Sequence, residues 1–293
     1  MSPIAQERSD RESASAPAAG AIMARAATEN FSVASRLLPR SARDHLLAIY
    51  GFARLVDELG DSLQGDRLAA LDWLEGELDL AFAGRATHPL MVRLQATLRS
   101  CGLAREPFAR LIEANRVDQR VDRYSTWEQL RSYCALSADP VGELVLGVFG
   151  AATPERIALS DSICTALQLV EHCQDVAEDL AAGRVYLPLE DLERHGCTVA
   201  DLRAPHAGSA LRAVIAFEVA RARALLDAGM PLIGLLEGRA RLGVAAFVAG
   251  GRAAIEAIER ARYDVLAGPP RASRARRLRA LAATLLQARR GAR

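Results

Sequence analysis

The chain has 293 residues, with 37 Arg plus Lys against 36 Asp plus Glu, for a net charge of +1. That balance excludes a general nucleic-acid binder, which needs a strong positive field. With 51% hydrophobic and 25% charged residues the chain is not disordered, and no apolar run reaches the roughly 18 residues of a membrane-spanning helix.

Residues 1–20 are small, polar and rich in Pro, Ala and Ser, and lack the basic and apolar regions of a secretory signal. They are expected to form a disordered tail. Residues 21–268 read as one all-α domain of about ten helices. This stretch is rich in Ala, Leu, Arg and Glu, and its apolar positions recur at three and four. Pro39-Arg40-Ser41 predicts a helix start with Ser41 as N-cap. His88-Pro89, Glu106-Pro107 and Thr153-Pro154 each place Pro at the start of a further helix. Residues 142–150 (GELVLGVFG) predict a helix apolar nearly all round, whose glycines suit close helix packing or a ligand. The segment from Gly183 to Pro188 interrupts the pattern, and Gly268-Pro269-Pro270 is expected to end the last core helix.

Residues 269–293 form a basic C-terminal segment. From Arg271 onward it holds eight Arg and no acid, with Leu278, Leu281, Leu285 and Leu286 at helical spacing. Such a segment either lies on an anionic membrane surface or docks by its leucines as a solvated tail helix. Five cysteines, odd in number and without a C-x-x-C pair, suit reduced thiols. The expected location is cytoplasmic, with peripheral contact at the inner face of the membrane.

Two acidic clusters stand inside otherwise apolar helices. One is DELGD at 57–61, at the end of the helix beginning near Ser41. The other is DVAED at 175–179, at the end of the helix beginning near Pro154. Asp57 and Asp61, and likewise Asp175 and Asp179, are spaced i,i+4, which puts each pair on one helix face. Like charges so placed destabilise a helix by about 0.2–0.5 kcal/mol, and acids near a C-terminus also oppose the macrodipole. A bound cation reverses the sign. Mg²⁺ is the natural candidate, because it takes one or two carboxylates together with phosphate oxygens and waters. Several such ions between two acidic faces would hold a diphosphate. Arg54, three residues before Asp57, and Arg184, just after the second cluster, offer bidentate hydrogen bonds to it. For Arg54 an ion pair with Asp57 is the alternative.

Three segments together resemble the squalene/phytoene synthase family of head-to-head prenyl synthases. They are NFSVASRLLP at 30–39 running on to AIYGFARLVDELGD at 48–61, YCALSADPVG at 133–142, and LQLVEHCQDVAED at 167–179 running into GRVYLP at 183–188. The resemblance covers residues 25–268 and implies a helical bundle of the isoprenoid synthase type around a central apolar cavity. It also implies Asp57, Asp61, Asp175 and Asp179 as Mg²⁺ ligands and Arg54 and Arg184 as holders of the diphosphate. Tyr50, Phe31, Tyr133, Gln168 and Tyr186 would line the pocket near the reacting carbons, with Tyr263 a further candidate. The opening and SADPVG segments look most like the hopanoid-pathway type. That type implies conversion of presqualene diphosphate to hydroxysqualene by ionisation, rearrangement and water capture, with Phe31, Phe52, Tyr133 and Tyr186 facing the cation. The rivals are a synthase condensing two prenyl diphosphates, such as a phytoene or presqualene diphosphate synthase, and a non-catalytic helical assembly factor of the same fold. An upstream presqualene diphosphate synthase or a downstream reductase would be partner enzymes.

The chain departs from the commonest family pattern at Glu58, in place of a second Asp. Glu171 stands where many relatives carry a metal-binding Asn, and Gln174 where many carry Arg. The last change removes a positive charge from the diphosphate site, which suits a substrate with one diphosphate. Among the histidines only His172, beside Glu171, is a site candidate. Cys173 reads as a packed thiol, and Trp73 and Trp127 as core or partner surface.

Overall fold

A computed structural model describes residues 40–291. The 1–20 tail, the 30–39 motif and Phe31 lie outside the described residues. Thirteen α-helices occur among the described residues. Helix α1 spans Arg40–Asp57, α2 Arg67–Phe82, α3 Pro89–Cys101, α4 Glu106–Asp118, α5 Trp127–Ser137 and α6 Asp139–Val148. Then follow α7 Pro154–Gln174, α8 Val176–Ala181, α9 Leu189–Arg194, α10 Ser209–Gly229, α11 Pro231–Leu235, α12 Gly238–Arg260 and α13 Arg274–Gly291. The only bridge of strand type among these residues joins Arg123 to Val185. No helix among them is long and apolar enough to cross a membrane.

The prolines act as their positions predict. Pro89, Pro107 and Pro154 each sit in the first turn, where a missing N–H costs nothing. Thr153 caps α7 by accepting a hydrogen bond from the Arg156 amide. Ser41 is not a cap, because α1 is already helical at Arg40. The last core helix ends at Arg260, earlier than Gly268-Pro269-Pro270 suggests. Arg262 and Tyr263 adopt left-handed φ of 53° and 59°, and that reversal stops it.

Two apolar cores carry the bundle. Phe52, Leu55, Leu74, Leu78, Met91, Leu94, Phe108 and Ile112 fill the one formed by α1–α4. The larger core surrounds α7, whose Ile163, Ala166, Leu169, Val170 and Cys173 are buried against α6, α10 and α12. Approach to α7 is close enough to need glycine. A Cβ on Gly142 of α6 would stand 2.2 Å from Ser160 Oγ, and one on Gly229 of α10 would stand 2.4 Å from Ile163 Cγ1 and 2.8 Å from the Leu159 carbonyl. Helix α13 packs against α12, with Ala280 and Ala288 buried and Leu281 and Leu285 on the core, while Leu278 and Leu286 are 63% and 58% exposed.

Because the Leu159 carbonyl is backbone and cannot swing away, Gly229→Ala is expected to force α10 off α7. The expected cost is about 1–3 kcal/mol, or roughly 2–4 °C of Tm for each kcal/mol. Differential scanning calorimetry checks it, and an unchanged Tm would show that the crossing is looser than described.

Candidate active site

The first acidic cluster does not sit on plain α-helix. At Asp57 the backbone widens into a π-helical turn, Glu58–Ser62, closed by the Leu63 amide donating to the Glu58 carbonyl at 3.0 Å. The expectation that Asp57 and Asp61 stand one α-turn apart on one face is corrected accordingly. Such turns are rare and are frequent at functional sites. Neighbours satisfy its loosened carbonyls. Arg67 donates to Asp61 O at 2.9 Å and to Leu63 O at 3.1 Å, and Gln119 donates to Gly60 O at 3.0 Å. Arg54 pairs with Asp57 at 3.3 Å, so the ion pair open to it in the sequence does form.

The second cluster also lies at a helix break. Helix α7 stops at Gln174, Asp175 leaves helical geometry at φ −102° and ψ 16°, and α8 begins at Val176 with Asp179 in its first turn. The Asp179 amide donates to Asp175 O at 2.8 Å, which holds the two residues one turn apart. The chain then reverses at Gly183, and Arg184 reaches across to the first cluster, donating to Asp61 Oδ1 at 2.7 Å. This bond joins the two clusters over one cleft.

Beneath the carboxylates lies an aromatic floor. The rings of Tyr124, Tyr133 and Tyr186 meet with centroids 5.3–5.9 Å apart. His172 stacks on Tyr186 at 4.0 Å. Asp118, at the end of α4, accepts hydrogen bonds from Tyr133 at 2.7 Å and Tyr186 at 3.3 Å. Tyr124 is 4% exposed, and its hydroxyl finds no partner among the described residues. Gln168 lies 3.3 Å from His172 Nε2, and His172 Nδ1 lies 4.0 Å from Asp179. Backbone pairing of Val185 with Asp122 and of Leu189 with Tyr124 fixes the floor to the Arg184 segment. The cleft holds a small cavity of about 10 Å³, lined by His172, Val176, Asp179, Arg184, Tyr186 and Leu202, among others.

Of the residues singled out in the sequence, Asp61, Asp179, Arg184, Tyr133, Tyr186 and Gln168 converge here, with Asp175 one turn away. Asp57 and Arg54 flank the π-turn, and Tyr50 is half-buried on α1. Glu171 is exposed on α7. Phe52 is not brought to the floor. It is fully buried in the α1–α4 core, edge-on to Phe108 at 5.1 Å, because its side of α1 faces α4. Tyr263 packs against the larger core just beyond α12. Asp118 and Tyr124 were missed. Asp118 sits among charged residues and reads as a solvated helix end. The available signal was its register, three residues beyond the buried Asn115 on the stripe of Phe108, Leu111 and Ile112.

A family model for squalene/phytoene synthase matches residues 24–279. The hydroxysqualene synthase of Rhodopseudomonas palustris is 38% identical over 209 residues, covering 70% of each chain. The presqualene diphosphate synthase of the same organism is 36% identical over 198 residues, covering 67% of this chain and 71% of that one. The crystal structure of squalene synthase HpnC from Alicyclobacillus acidocaldarius superposes with a TM-score of 0.79 at 51% identity, covering 84% of this chain and 92% of that one. The chain belongs to the squalene/phytoene synthase family. It is an enzyme of that family, with the all-α fold of the isoprenoid synthases.

The electrostatics of this synthase are those of crowded acids. Burial and the nearby Asp175 charge push the Asp179 carboxyl up to about 7, against the pull of Arg184. Burial pushes Asp118 up to about 6 despite its Tyr133 hydrogen bond and Arg184. Asp175 is raised by burial and by Glu178, with Arg271 opposing. Burial lowers His172 to about 3, so its imidazole is neutral and is no counter-ion for Asp179. Among the described residues no three acidic, His or Cys side chains already form a closed metal cage.

A stability prediction follows from these shifts. The folded chain keeps a proton on Asp179 up to about pH 7, whereas an unfolded one loses it near the ordinary carboxylate value of about 4. Folding therefore takes up a proton in that window, and stability falls as pH rises through it. In chelator-treated protein, Asp179→Asn is expected to match the parent Tm near pH 4 and exceed it at pH 8. Thermal scans across pH check this, and a constant difference would contradict it.

Proposed function

We propose that this synthase ionises a prenyl diphosphate with the help of Mg²⁺, and that its substrate is presqualene diphosphate, converted to hydroxysqualene. The observation that carries the reading is the Arg184–Asp61 bond, which brings two aspartate clusters to one cleft above tyrosine rings. The donor set fits magnesium. Asp61, Asp175 and Asp179 supply hard oxygen ligands in a cleft with more acid than base, and Mg²⁺ needs only one or two carboxylates beside phosphate oxygens and water. Asp57, Asp61, Asp175 and Asp179 would hold it, and it would supply charge neutralisation to the departing diphosphate.

The chain's own residues do the rest. Arg184, released from Asp61 as the ligand enters, and Arg54 would donate bidentate hydrogen bonds to the diphosphate. Breaking of the C–O bond leaves the electron pair on the diphosphate and a cation on the carbon skeleton. The faces of Tyr133 and Tyr186 would stabilise it by their quadrupoles while buried walls such as Val176, Leu187 and Leu202 exclude bulk water. Water adds to the rearranged cation and loses a proton. Asp118, held by two tyrosines, stands ready to accept it through Tyr133 or Tyr186. The likeness to a hydroxysqualene synthase and the neutral Gln174 favour one diphosphate. The likeness to a presqualene diphosphate synthase keeps condensation of two prenyl diphosphates as the second reading. On the first reading, one enzyme class supplies presqualene diphosphate and a reductase consumes the hydroxysqualene.

Purified protein given presqualene diphosphate and Mg²⁺ is expected to release pyrophosphate and form hydroxysqualene. Asp57→Ala and Asp175→Ala are expected to abolish this, as mass spectrometry of the products will show. Turnover of farnesyl diphosphate alone would shift the assignment to condensation. The reading also places the enzyme at a membrane surface, since its substrate carries thirty carbons at about 0.8 kcal/mol of transfer energy for each buried CH₂. Exposed Leu278 and Leu286 beside Arg274, Arg276 and Arg279 on α13 support this. Flotation with anionic phosphatidylglycerol vesicles is expected for the parent and to be lost when Leu278 and Leu286 are both changed to Asp. Equal flotation of the two proteins would remove α13 from the contact.

A further inference from the structure

Trp127, at the first position of α5, stands against a buried ionic cluster outside the cleft. Its ring lies 4.5 Å from the Arg221 guanidinium of α10, and the Phe217 ring lies 4.8 Å from the same group. One nitrogen of that guanidinium donates to Asp191 Oδ2 of α9 at 2.9 Å and to both Glu218 carboxyl oxygens at 2.6 and 2.7 Å. Asp191 and Glu218 are each 0% exposed. Two carboxyls on one nitrogen and out of water do not both ionise, so the pair keeps one proton. Glu218 holds it. Burial pushes its carboxyl up to about 8, with Arg221 pulling down and Asp191 adding to the rise. The other groups facing the pair are Arg194, half-exposed and 3.0 Å from Asp191 Oδ1, and Cys173 of α7, a buried thiol that feels the Glu218 charge. His195, just past α9, rests on Phe217 with ring centroids 5.5 Å apart.

This cluster closes the end of a short ladder that carries the site. The Val185 amide donates to Asp122 O, that of Leu189 to Tyr124 O and that of Glu190 to Ser125 O, at 2.8–3.0 Å, and the Trp127 amide donates to Glu190 Oε1 at 2.8 Å. Arg184 and Tyr186 lie on one side of the ladder and Tyr124 on the other. Asp191 and Trp127 end the two sides, and Arg221 touches both. We propose that Arg221, gripped by the buried Asp191–Glu218 pair and its shared proton, is a positioning residue for Arg184 and Tyr186, and that loss of the proton drives Asp191 and the ladder away from α10. A second negative charge would stand against the first at close range, with the same guanidinium to share. The inference rests on the proposed function for what Arg184 and Tyr186 do, and adds to it an alkaline limit set outside the cleft.

The chain has two tryptophans, so full-length protein carrying Trp73→Phe reports Trp127 alone by its emission. That emission is expected to change between pH 7 and pH 9 with one midpoint near 8. Glu218→Gln keeps the shape of the protonated acid and a hydrogen bond to Asp191, and is expected to stay flat over that range. Asp191→Asn is expected to move the midpoint below about pH 6, because the remaining carboxylate then has Arg221 to itself. The second readout is pyrophosphate release from presqualene diphosphate at saturating MgCl₂. The parent kcat is expected to fall about tenfold from pH 7 to pH 9, as titration of one group with that midpoint gives, and Glu218→Gln to hold its pH 7 rate. A merely structural contact would change Tm in these variants and move neither midpoint. A Trp127 midpoint that survives in Glu218→Gln overturns the inference. So does an alkaline fall in kcat common to the parent and Glu218→Gln, and both results leave the proposed function standing. A parent protein that releases pyrophosphate from no prenyl diphosphate overturns the proposed function and the positioning role together.

Discussion

Mutual repulsion among carboxylates around one cleft is the constraint on which this structure turns. Asp61, Asp118, Asp175 and Asp179 come from three separate stretches of chain, and among the described residues Arg184 is the cation that reaches across them. Removing the cleft from bulk water strengthens the repulsion rather than screening it. Burial first, and the neighbouring acids after it, push the Asp118 and Asp179 carboxyls far above the ordinary carboxylate range. A domain selected for stability alone would replace one of them with a neutral side chain. Keeping them makes sense where divalent cations arrive with an anionic ligand and turn the repulsion into attraction.

The scaffold holds these acids by giving up regular helix where they sit. The π-turn at Glu58–Ser62 frees backbone carbonyls that Arg67 and Gln119 satisfy, and α7 breaks at Asp175. The surroundings are rigid. Helix α7 is approached so closely by α6 and α10 that glycines stand at the crossings, and the tyrosine floor is tied by Asp118 below and by backbone pairing at Val185. Local irregularity inside a tightly packed frame is what an electrostatic site needs, because donors and charges must already be placed when charge develops in the substrate.

The C-terminal segment is tied to the bundle at its start and half-exposed beyond it. Its first residues are fastened to the end of α7 by Gln174, and the helix that follows carries two outward leucines among arginines.

The sequence alone determined the all-α class, the helix starts at Pro89, Pro107 and Pro154, the two aspartate clusters and their arginines, and the family. These are written in short-range pattern: period, caps and motif spacing. It misplaced Phe52, the end of the last core helix and the helical geometry of DELGD, and it did not single out Asp118 or Tyr124. Those depend on which elements meet. A phenylalanine two residues from Arg54 looks like a site residue until α4 is seen to cover it. An aspartate amid arginines looks solvated until two distant tyrosines donate to it. Tertiary structure alone decided that the clusters share a cleft and that the linker after α12 reaches Gln174 beside Asp175. Long-range packing sets which side chains lose water, and with it which charges matter.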